Sequence, residues 1–219
     1  MLFIVVITLL LNGCNCFLLA DQTPRNVTQQ LTVTNGGDSG TWGVKQFCPS
    51  RQFAVGYDIK VETYQFTGDD TSLNAIKLIC SDANGASFAK QTITSSVGPW
   101  GDWKGQVTCN QRPEVVMFLK AFSLQVESPQ GNGDDTAVNW AKFDCRDMQD
   151  STPMEELNKD PGHGSFGTFG AWSESCRPGS AICGMMTRVE PVLTNTGDDT
   201  ALNDVIFYCC QEQDPEILG

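Results

Sequence analysis

The chain has 219 residues, with 26 acidic and 14 basic side chains, and its formal net charge is −12 at pH 7. Nucleic acids and anionic membrane surfaces attract basic proteins, so this charge argues against both as partners. Basic proteins of an extracellular matrix are compatible partners. Acidity of this kind also keeps a secreted protein soluble, so the charge alone does not identify a partner.

The chain begins with a segment, residues 1–20, that contains no Asp, Glu, Lys or Arg. Its uninterrupted apolar run ends at Leu11, which is too short to span a bilayer comfortably. We therefore predict a secretory signal peptide rather than a membrane anchor, although the segment lacks a basic start. Residues 21–219 are then an extracellular chain long enough for one sizeable domain.

Three copies of Gly-Asp-Asp-Thr occur 65 and 64 residues apart, beginning at Gly68, Gly133 and Gly197. A Val-Glu pair precedes each copy, an Asn stands six residues after its Gly, and a Cys stands twelve residues after it. These shared positions are Glu62, Glu127 and Glu190, Asn74, Asn139 and Asn203, and Cys80, Cys145 and Cys209. An internal repeat of this length indicates an architecture built from three equivalent units.

A glycine-rich aromatic segment and a Cys precede each copy. The segments are Gly40–Lys45, Gly98–Trp103 and Gly167–Trp172, and the cysteines are Cys48, Cys109 and Cys176. The repeats therefore cover about 33–82, 97–146 and 165–210. Apolar and polar residues alternate on both sides of each Gly-Asp-Asp-Thr, which predicts strands flanking a turn, and helical periodicity is absent. One unit cannot bury its apolar face alone, so we predict one all-β domain with three sheets about a pseudo-threefold axis.

The ten cysteines predict a disulfide framework. Cys14 and Cys16 lie in the predicted signal segment, and the eight that remain are an even number in a secreted chain. Repeat symmetry pairs the Cys that opens each unit with the Cys that closes it. The predicted bonds are Cys48–Cys80, Cys109–Cys145, Cys176–Cys209 and, from the remaining two, Cys183–Cys210. Zinc binding is the alternative role for these cysteines. There is, however, no Cys-x-x-Cys pair and His163 is the only histidine, so we predict no metal and no cofactor.

The order of these motifs resembles the vitelline membrane outer layer protein I family from about Val33 to Cys210. Two positions depart from its pattern, since Lys45 replaces the second Trp of the first unit and Phe169 replaces the first Trp of the third. The resemblance implies a β-prism of three sheets, internal disulfides, secretion, and a place in egg coats or other extracellular layers and fluids. The family's avian founding member is associated with lysozyme-like transglycosylation of N-acetylglucosamine oligomers, and jacalin-type lectins use a similar prism to bind carbohydrate.

Three functions remain open at this stage. The first is a structural or glycan-interacting protein of an extracellular coat or fluid, the second is an enzyme acting on N-acetylglucosamine oligomers, and the third is a lectin. The expected partners are coat or matrix glycoproteins, including basic ones, and an oligosaccharide. Glycoside chemistry needs two carboxyl groups across the scissile bond. The candidate glycan contacts are Glu62, Glu127, Glu190, Asp69, Asp70, Asp134, Asp135, Asp198, Asp199, Trp100 and Trp103, and no catalytic residue is assigned.

Each candidate also has an architectural interpretation. Gly, Asp and Thr are common turn residues, and a motif repeated with symmetry favours turn building over glycan contact, Ca²⁺ binding or catalysis. For the Glu positions, a surface role and sugar contact are both open. The Gly-rich setting of Trp42, Trp100, Trp103 and Trp172 favours core packing over stacking on sugar rings. Asn26 begins the only N-glycosylation sequon, and His163 lies in an irregular connector that is a poor place for a catalytic base.

Overall fold

The computed structural model describes residues 25–63, 71–84, 90–128, 137–192 and 200–211, which form fourteen β-strands and no helix. None of these described residues therefore belongs to a helix that could span a membrane. The predicted signal segment and the Gly-Asp-Asp aspartates lie outside the described residues. The strands are β1 (Val27–Leu31), β2 (Thr41–Trp42), β3 (Gln46–Phe47), β4 (Gln52–Val61), β5 (Leu73–Asp82), β6 (Gln91–Thr94), β7 (Asp102–Trp103), β8 (Val107–Thr108), β9 (Met117–Val126), β10 (Val138–Asp147), β11 (Glu155–Asn158), β12 (Thr168–Phe169), β13 (Ser180–Val189) and β14 (Leu202–Gln211).

Three antiparallel pairs of ten-residue strands form the centres of three sheets. In sheet I the order is β6-β5-β4-β7, and β8 also pairs with β4. In sheet II the order is β11-β10-β9-β12. In sheet III the order is β1-β14-β13-β2, and β3 also pairs with β13. The first strands of the chain therefore complete the sheet built around its last two strands.

Each glycine-rich segment pairs with the strand pair of the preceding sequence unit, not with the one that follows it. The paired residues are Trp42 with Arg188, Trp103 with Lys60, and Phe169 with Gln125. Sheets and sequence repeats are thus offset from one another. Every unit contributes to two sheets, and this arrangement links the three sheets in a closed ring.

This pairing corrects the alignment of the glycine-rich segments. Trp42, Trp103 and Phe169 occupy equivalent positions, so the first unit keeps its aromatic residue and Lys45 is not a substitution for it. The shared motif becomes Gly-x-x-Gly-x-aromatic, beginning at Gly37, Gly98 and Gly164. We call these three segments the glycine loops.

The second glycine of each loop cannot be replaced, for a backbone reason. Gly40, Gly101 and Gly167 have φ values of 80°, 72° and 73°, in the left-handed region that favours glycine. A Cβ on Gly101 would stand 2.3 Å from the backbone nitrogen of Glu62, and one on Gly40 would stand 2.4 Å from that of Glu190. The loop backbone therefore lies directly against the end of the neighbouring strand, where no side chain fits.

The main core lies between the three sheets. Tyr57 of sheet I, Phe122 and Phe143 of sheet II, and Phe207 of sheet III are all buried and form one aromatic cluster. Ring centroids are 4.6 Å apart for Tyr57 and Phe143, 4.8 Å for Phe122 and Phe207, and 5.2 Å for Phe143 and Phe207. Because each sheet buries its apolar face only against the other two, the protein is a β-prism with a shared core.

A β-bulge interrupts each strand pair at an equivalent position, occupied by Val55, Lys120 and Cys183. A bulge adds one residue and so reverses which side chains face the core. Beyond the bulge in β4, apolar residues alternate with polar ones from Tyr57 onward, and the apolar ones face the main core. Before this point, Phe53 and Val55 belong to a second buried cluster. Strict alternation therefore describes only part of each strand.

The structure contains the four disulfide bonds that repeat symmetry predicts: Cys48–Cys80, Cys109–Cys145, Cys176–Cys209 and Cys183–Cys210. The first three join different sheets. Cys109, for example, donates its backbone N–H to Val55 of sheet I and is bonded to Cys145 of sheet II. Cys48 and Cys176 connect sheet III to I and sheet II to III in the same way. These bonds form a covalent ring around the prism, and the fourth lies within sheet III.

Candidate functional site

The repeated glutamates and asparagines lie at one end of the prism, where β4, β9 and β13 end and β5, β10 and β14 begin, and we call this the loop end. At Glu62 the carboxylate Oε2 accepts hydrogen bonds from the Thr71 hydroxyl at 2.7 Å and the Thr71 backbone N–H at 3.2 Å. Glu190 does the same with Thr200, at 2.6 and 3.1 Å. Each of these glutamates therefore joins the end of one strand to the beginning of its paired strand. Glu127 occupies the third equivalent position, and its backbone N–H bonds to Ala137 at 2.8 Å.

The repeated asparagines join this network to the glycine loops. The Asn74 amide donates to the Thr71 hydroxyl at 2.6 Å, and its carbonyl accepts the backbone N–H of Trp100 at 3.1 Å. Asn139 likewise accepts the N–H of Phe166 at 3.2 Å. Both asparagines are fully buried. A buried amide with partners on both sides fixes the distance between strand pair and loop.

A polar residue just before each Val-Glu pair holds the same loop from the other side. The Lys60 ammonium donates to the carbonyls of Gly98 and Pro99 at 2.7 and 2.9 Å. Gln125 donates to the Phe166 carbonyl at 2.6 Å, and Arg188 donates to Gly40 at 3.3 Å. Each glycine loop is therefore attached at both edges and presents its middle residues at fixed positions.

This network favours the architectural interpretation of the repeat. The aspartates Asp69, Asp70, Asp134, Asp135, Asp198 and Asp199 lie outside the described residues, so their contact with a glycan stays a prediction. Burial raises the pKa of two other acids, Asp144 and Asp204. Asp144 pairs with Arg146 at 2.8 Å, and Asp204 accepts a hydrogen bond from the backbone of Val205.

Replacing Glu190 with Ala is expected to lower the free energy of unfolding by about 1–2 kcal/mol, because hydrogen bonds to a half-buried charged group are lost. The measurement is urea unfolding followed by tryptophan fluorescence. Glu174→Ala is the control, since Glu174 is exposed and, among the described residues, its side chain contacts Gln29 alone, at 3.3 Å. We expect this control to stay within about 0.5 kcal/mol of the native protein. Equal effects of the two variants would contradict the architectural role of Glu190.

The prediction that the tryptophans pack in the core is wrong for two of them. Trp42 is 38% exposed and Trp100 is 42% exposed. Trp103 is half-buried beneath the Lys77 ammonium, which lies 3.6 Å from its ring centroid. Trp172 is half-buried and lies near Lys142. The cause is the loop geometry, which places the third residue of the second glycine loop, Trp100, beyond the edge of its sheet.

Trp42 and Val44 on one chain segment, and Val97 and Trp100 on another, are exposed apolar residues near the junction of sheets I and III, and we call these four residues the apolar seam. Val44 is 74% exposed and Val97 is 44% exposed. Their two chain segments touch, since the Ser95 hydroxyl donates to the Val44 carbonyl at 2.8 Å. Exposed apolar side chains that gather on one surface mark a binding surface more often than single ones do.

The other two seams of the loop end contain clefts. The cleft between sheets II and III has a volume of about 510 Å³ and is lined by residues that include Asp38 and Glu127. The cleft between sheets I and II has a volume of about 490 Å³ and is lined by residues that include Lys104, Lys159 and His163. Neither Asp144 nor Asp204 lines these clefts. The backbone arrangement is the same at the three seams, but the exposed side chains differ from one seam to the next.

Several of these residues could not be predicted from the sequence because they are not part of the repeat. Val44 and Val97 are isolated apolar residues in polar segments, and Lys104 and Lys159 stand 55 positions apart. For His163, the sequence raises only zinc binding and the role of a catalytic base, and neither places it in this cleft. Asn26 is exposed and its carbonyl accepts the backbone N–H of Gln211, so the sequon lies at the surface and its glycosylation stays a prediction.

The fold and its ring of bonds define a disulfide-linked β-prism protein. Residues 29–212 match the family model of vitelline membrane outer layer protein I, and the chain belongs to this family. The human protein named vitelline membrane outer layer protein 1 homolog (Homo sapiens) is 40% identical, over 93% of this chain and 94% of its own. The mouse homolog (Mus musculus) is 38% identical, over 82% of each chain. A mannose-specific jacalin-related lectin from Morus nigra, solved in complex with mannose, is similar in structure with a TM-score of 0.47 and 15% identity, over 86% of this chain and 97% of its own.

Proposed function

We propose that this protein is a secreted, rigid component of an extracellular coat or fluid, and that it binds glycans of coat or matrix glycoproteins through the apolar seam. Four disulfide bonds are typical of proteins that fold in an oxidising compartment, which supports secretion. The observation that carries the proposal is the exposure of Trp42 and Trp100 on loops that the repeat holds in place.

Rigid presentation makes these tryptophans suitable for sugar binding. Sugar rings have apolar C–H faces that stack on aromatic rings, and the indole N–H can bond to a hydroxyl group. The backbone of Trp100 is fixed by Asn74 and its loop by Lys60. Because the loop is already ordered, little conformational entropy is lost when a ligand binds.

Our second candidate function is that of an enzyme acting on N-acetylglucosamine oligomers. It needs two carboxyl groups placed across a sugar bond. Glu62 and Glu190 instead use a carboxylate oxygen to close their own strand pairs. The same oxygens are therefore poorly placed to act as a nucleophile or a proton carrier.

The test is binding of the purified, disulfide-bonded protein to an array of defined oligosaccharides that includes N-acetylglucosamine oligomers and mannosides. We expect Trp100→Ala to weaken binding at least about tenfold, which corresponds to about 1.4 kcal/mol. Trp172→Ala is the control, because Trp172 lies near Lys142 on sheet II and away from the seam. If neither Trp42→Ala nor Trp100→Ala changes binding, the apolar seam is not the glycan site. Longer products from an N-acetylglucosamine oligomer, read by mass spectrometry, would instead support the enzyme.

A further inference from the structure

The cleft between sheets I and II contains two lysines, in a strongly acidic protein. Lys104, Lys159 and His163 line it, although the chain has a net charge of −12. The Lys159 ammonium lies 3.9 Å from the Cβ position of Gly105, the residue next to Lys104. The two lysines therefore line the same cleft, although Lys104 follows a strand of sheet I and Lys159 follows a strand of sheet II.

These two ammonium groups differ from most other lysines of the protein. Lys60 bonds to loop carbonyls, Lys120 pairs with Asp150, and Lys142 pairs with Glu156. Within the part of the chain that the structure describes, the ammonium groups of Lys104 and Lys159 have no hydrogen-bond or ion-pair partner. Two positive groups that line one cleft both attract an anion that binds there.

The backbones that carry these side chains are fixed. The Lys104 N–H bonds to the Ile59 carbonyl of β4 at 2.9 Å. The Lys159 N–H bonds at 2.9 Å to the hydroxyl of Tyr57, which is fully buried in the main core. The two lysines are therefore attached to the prism itself, and only their side chains need to be ordered when a ligand binds.

The fold does not require a lysine at position 104. The position after the loop aromatic is Lys104 in sheet I, Gly43 in sheet III and Gly170 in sheet II. The two symmetry-related loops form without a side chain there. The lysine at position 104 is thus particular to this cleft and not a consequence of the repeat.

The rest of the cleft has a mixed lining. Trp140 and Pro161 line it together with Ser72 and Ser165. Trp140 is 4% exposed, and its indole N–H donates to Asn158 at 3.1 Å. The acidic residues of the lining are Glu62, whose Oε2 is bonded to Thr71, and the exposed Asp160. A volume of about 490 Å³ lies within the range of small-ligand sites.

From this arrangement we infer that the cleft between sheets I and II binds an acidic sugar, one that carries a sulfate or carboxylate group. The apolar residues of the lining contact the sugar, and the two ammonium groups bind the acidic group. This site is separate from the apolar seam, so the inference goes beyond the proposed function and does not rest on it.

The experiment is a titration of the native disulfide-bonded protein, followed by NMR and calorimetry, with three probes: a sulfated disaccharide, a sialylated trisaccharide and a neutral disaccharide. We expect an acidic probe, but not the neutral one, to shift the indole N–H resonance of Trp140. Affinity should fall as salt is raised, because exposed charges are screened. The relative response to the first two probes identifies the acidic group.

The matched variants are Lys104→Met/Lys159→Met and, as a control with the same change in charge, Lys45→Met/Lys90→Met. We expect the first pair to weaken binding of the acidic sugar at least tenfold and the second less than twofold, with Trp100→Ala leaving it intact. Equal loss in both double variants, equal binding of the neutral disaccharide, or no shift of Trp140 with either acidic probe would overturn the inference. The Trp140 shift is read in the native protein, so it does not depend on how the variants fold.

Discussion

Replacing Lys120 with Met should lower the free energy of unfolding by about 3 kcal/mol, because a buried ion pair would lose one partner. The Lys120 side chain is fully buried, and its ammonium lies 2.8 Å from the Asp150 carboxylate. It also donates to the carbonyls of Ser180 at 2.7 Å and Met148 at 3.2 Å. Met can replace the methylene groups but not the ammonium, so these acceptors would lose their donor.

The same lysine should make stability depend on pH in the alkaline range. Burial lowers the pKa of the Lys120 ammonium below its ordinary value. The unfolded chain therefore binds more protons than the folded protein at pH values between the folded and unfolded pKa. Stability should rise with pH through that interval, and Lys120→Met should remove this contribution.

Urea unfolding at neutral and alkaline pH measures both effects. Lys142→Met is the matched control, because Lys142 forms a 2.8 Å ion pair with Glu156 at the surface of the same sheet. Exposed pairs contribute little, so we expect a loss of about 1 kcal/mol or less for this variant. If Lys120→Met costs no more than Lys142→Met, the contacts of the buried ammonium with Asp150, Ser180 and Met148 do not stabilise the fold.

Removing the Cys109–Cys145 bond should destabilise the protein by about 4 kcal/mol, the value that the chain-entropy model gives for a closed loop of this length. The two cysteines are 36 residues apart and join sheet I to sheet II. Their loss should also loosen the seam between these sheets. In the double Cys→Ser variant we therefore expect faster amide hydrogen exchange in β8 and β11, in addition to a lower unfolding midpoint.

The Cys183–Cys210 bond provides the control, because its cysteines are 27 residues apart and lie within one strand pair of sheet III. The entropic contribution depends only weakly on loop length, so the loss of stability should be similar. Exchange at the seam between sheets I and II should nevertheless stay at its native rate. If the control variant accelerated exchange in β8 and β11 as well, the effect would not be specific to the disulfide bond that joins sheets I and II.

Regular local patterns explain what could be predicted from the sequence. Alternating side chains around each Gly-Asp-Asp-Thr indicate strands, because neighbouring residues of a strand face opposite sides of its sheet. The bulges at Val55, Lys120 and Cys183 could not be predicted in this way, since one extra residue leaves no mark on composition. The partners of the glycine loops could not be predicted either, because pairing between strands depends on backbone contacts with distant segments.

The candidate site shows the same division. The repeat pointed to Glu62, Glu127 and Glu190, and for Glu62 and Glu190 the structure shows a carboxylate that closes its own strand pair. The surfaces suited to ligands lie instead at residues outside the repeat, such as Val44 and Lys104. The residues that occur in all three repeats are those that the fold requires. A binding site can occur once, so its residues need not be repeated.

By itself, the sequence determined the all-β class, the three units and the disulfide partners, because periodicity and a small number of cysteines leave few alternatives. Only the tertiary structure decided which strands complete each sheet, that Trp42 and Trp100 are exposed, that Lys120 is buried, and that Lys104 and Lys159 share a cleft. The physical reason is that burial and proximity depend on which distant surfaces meet, and these contacts form only when three sheets close around one core.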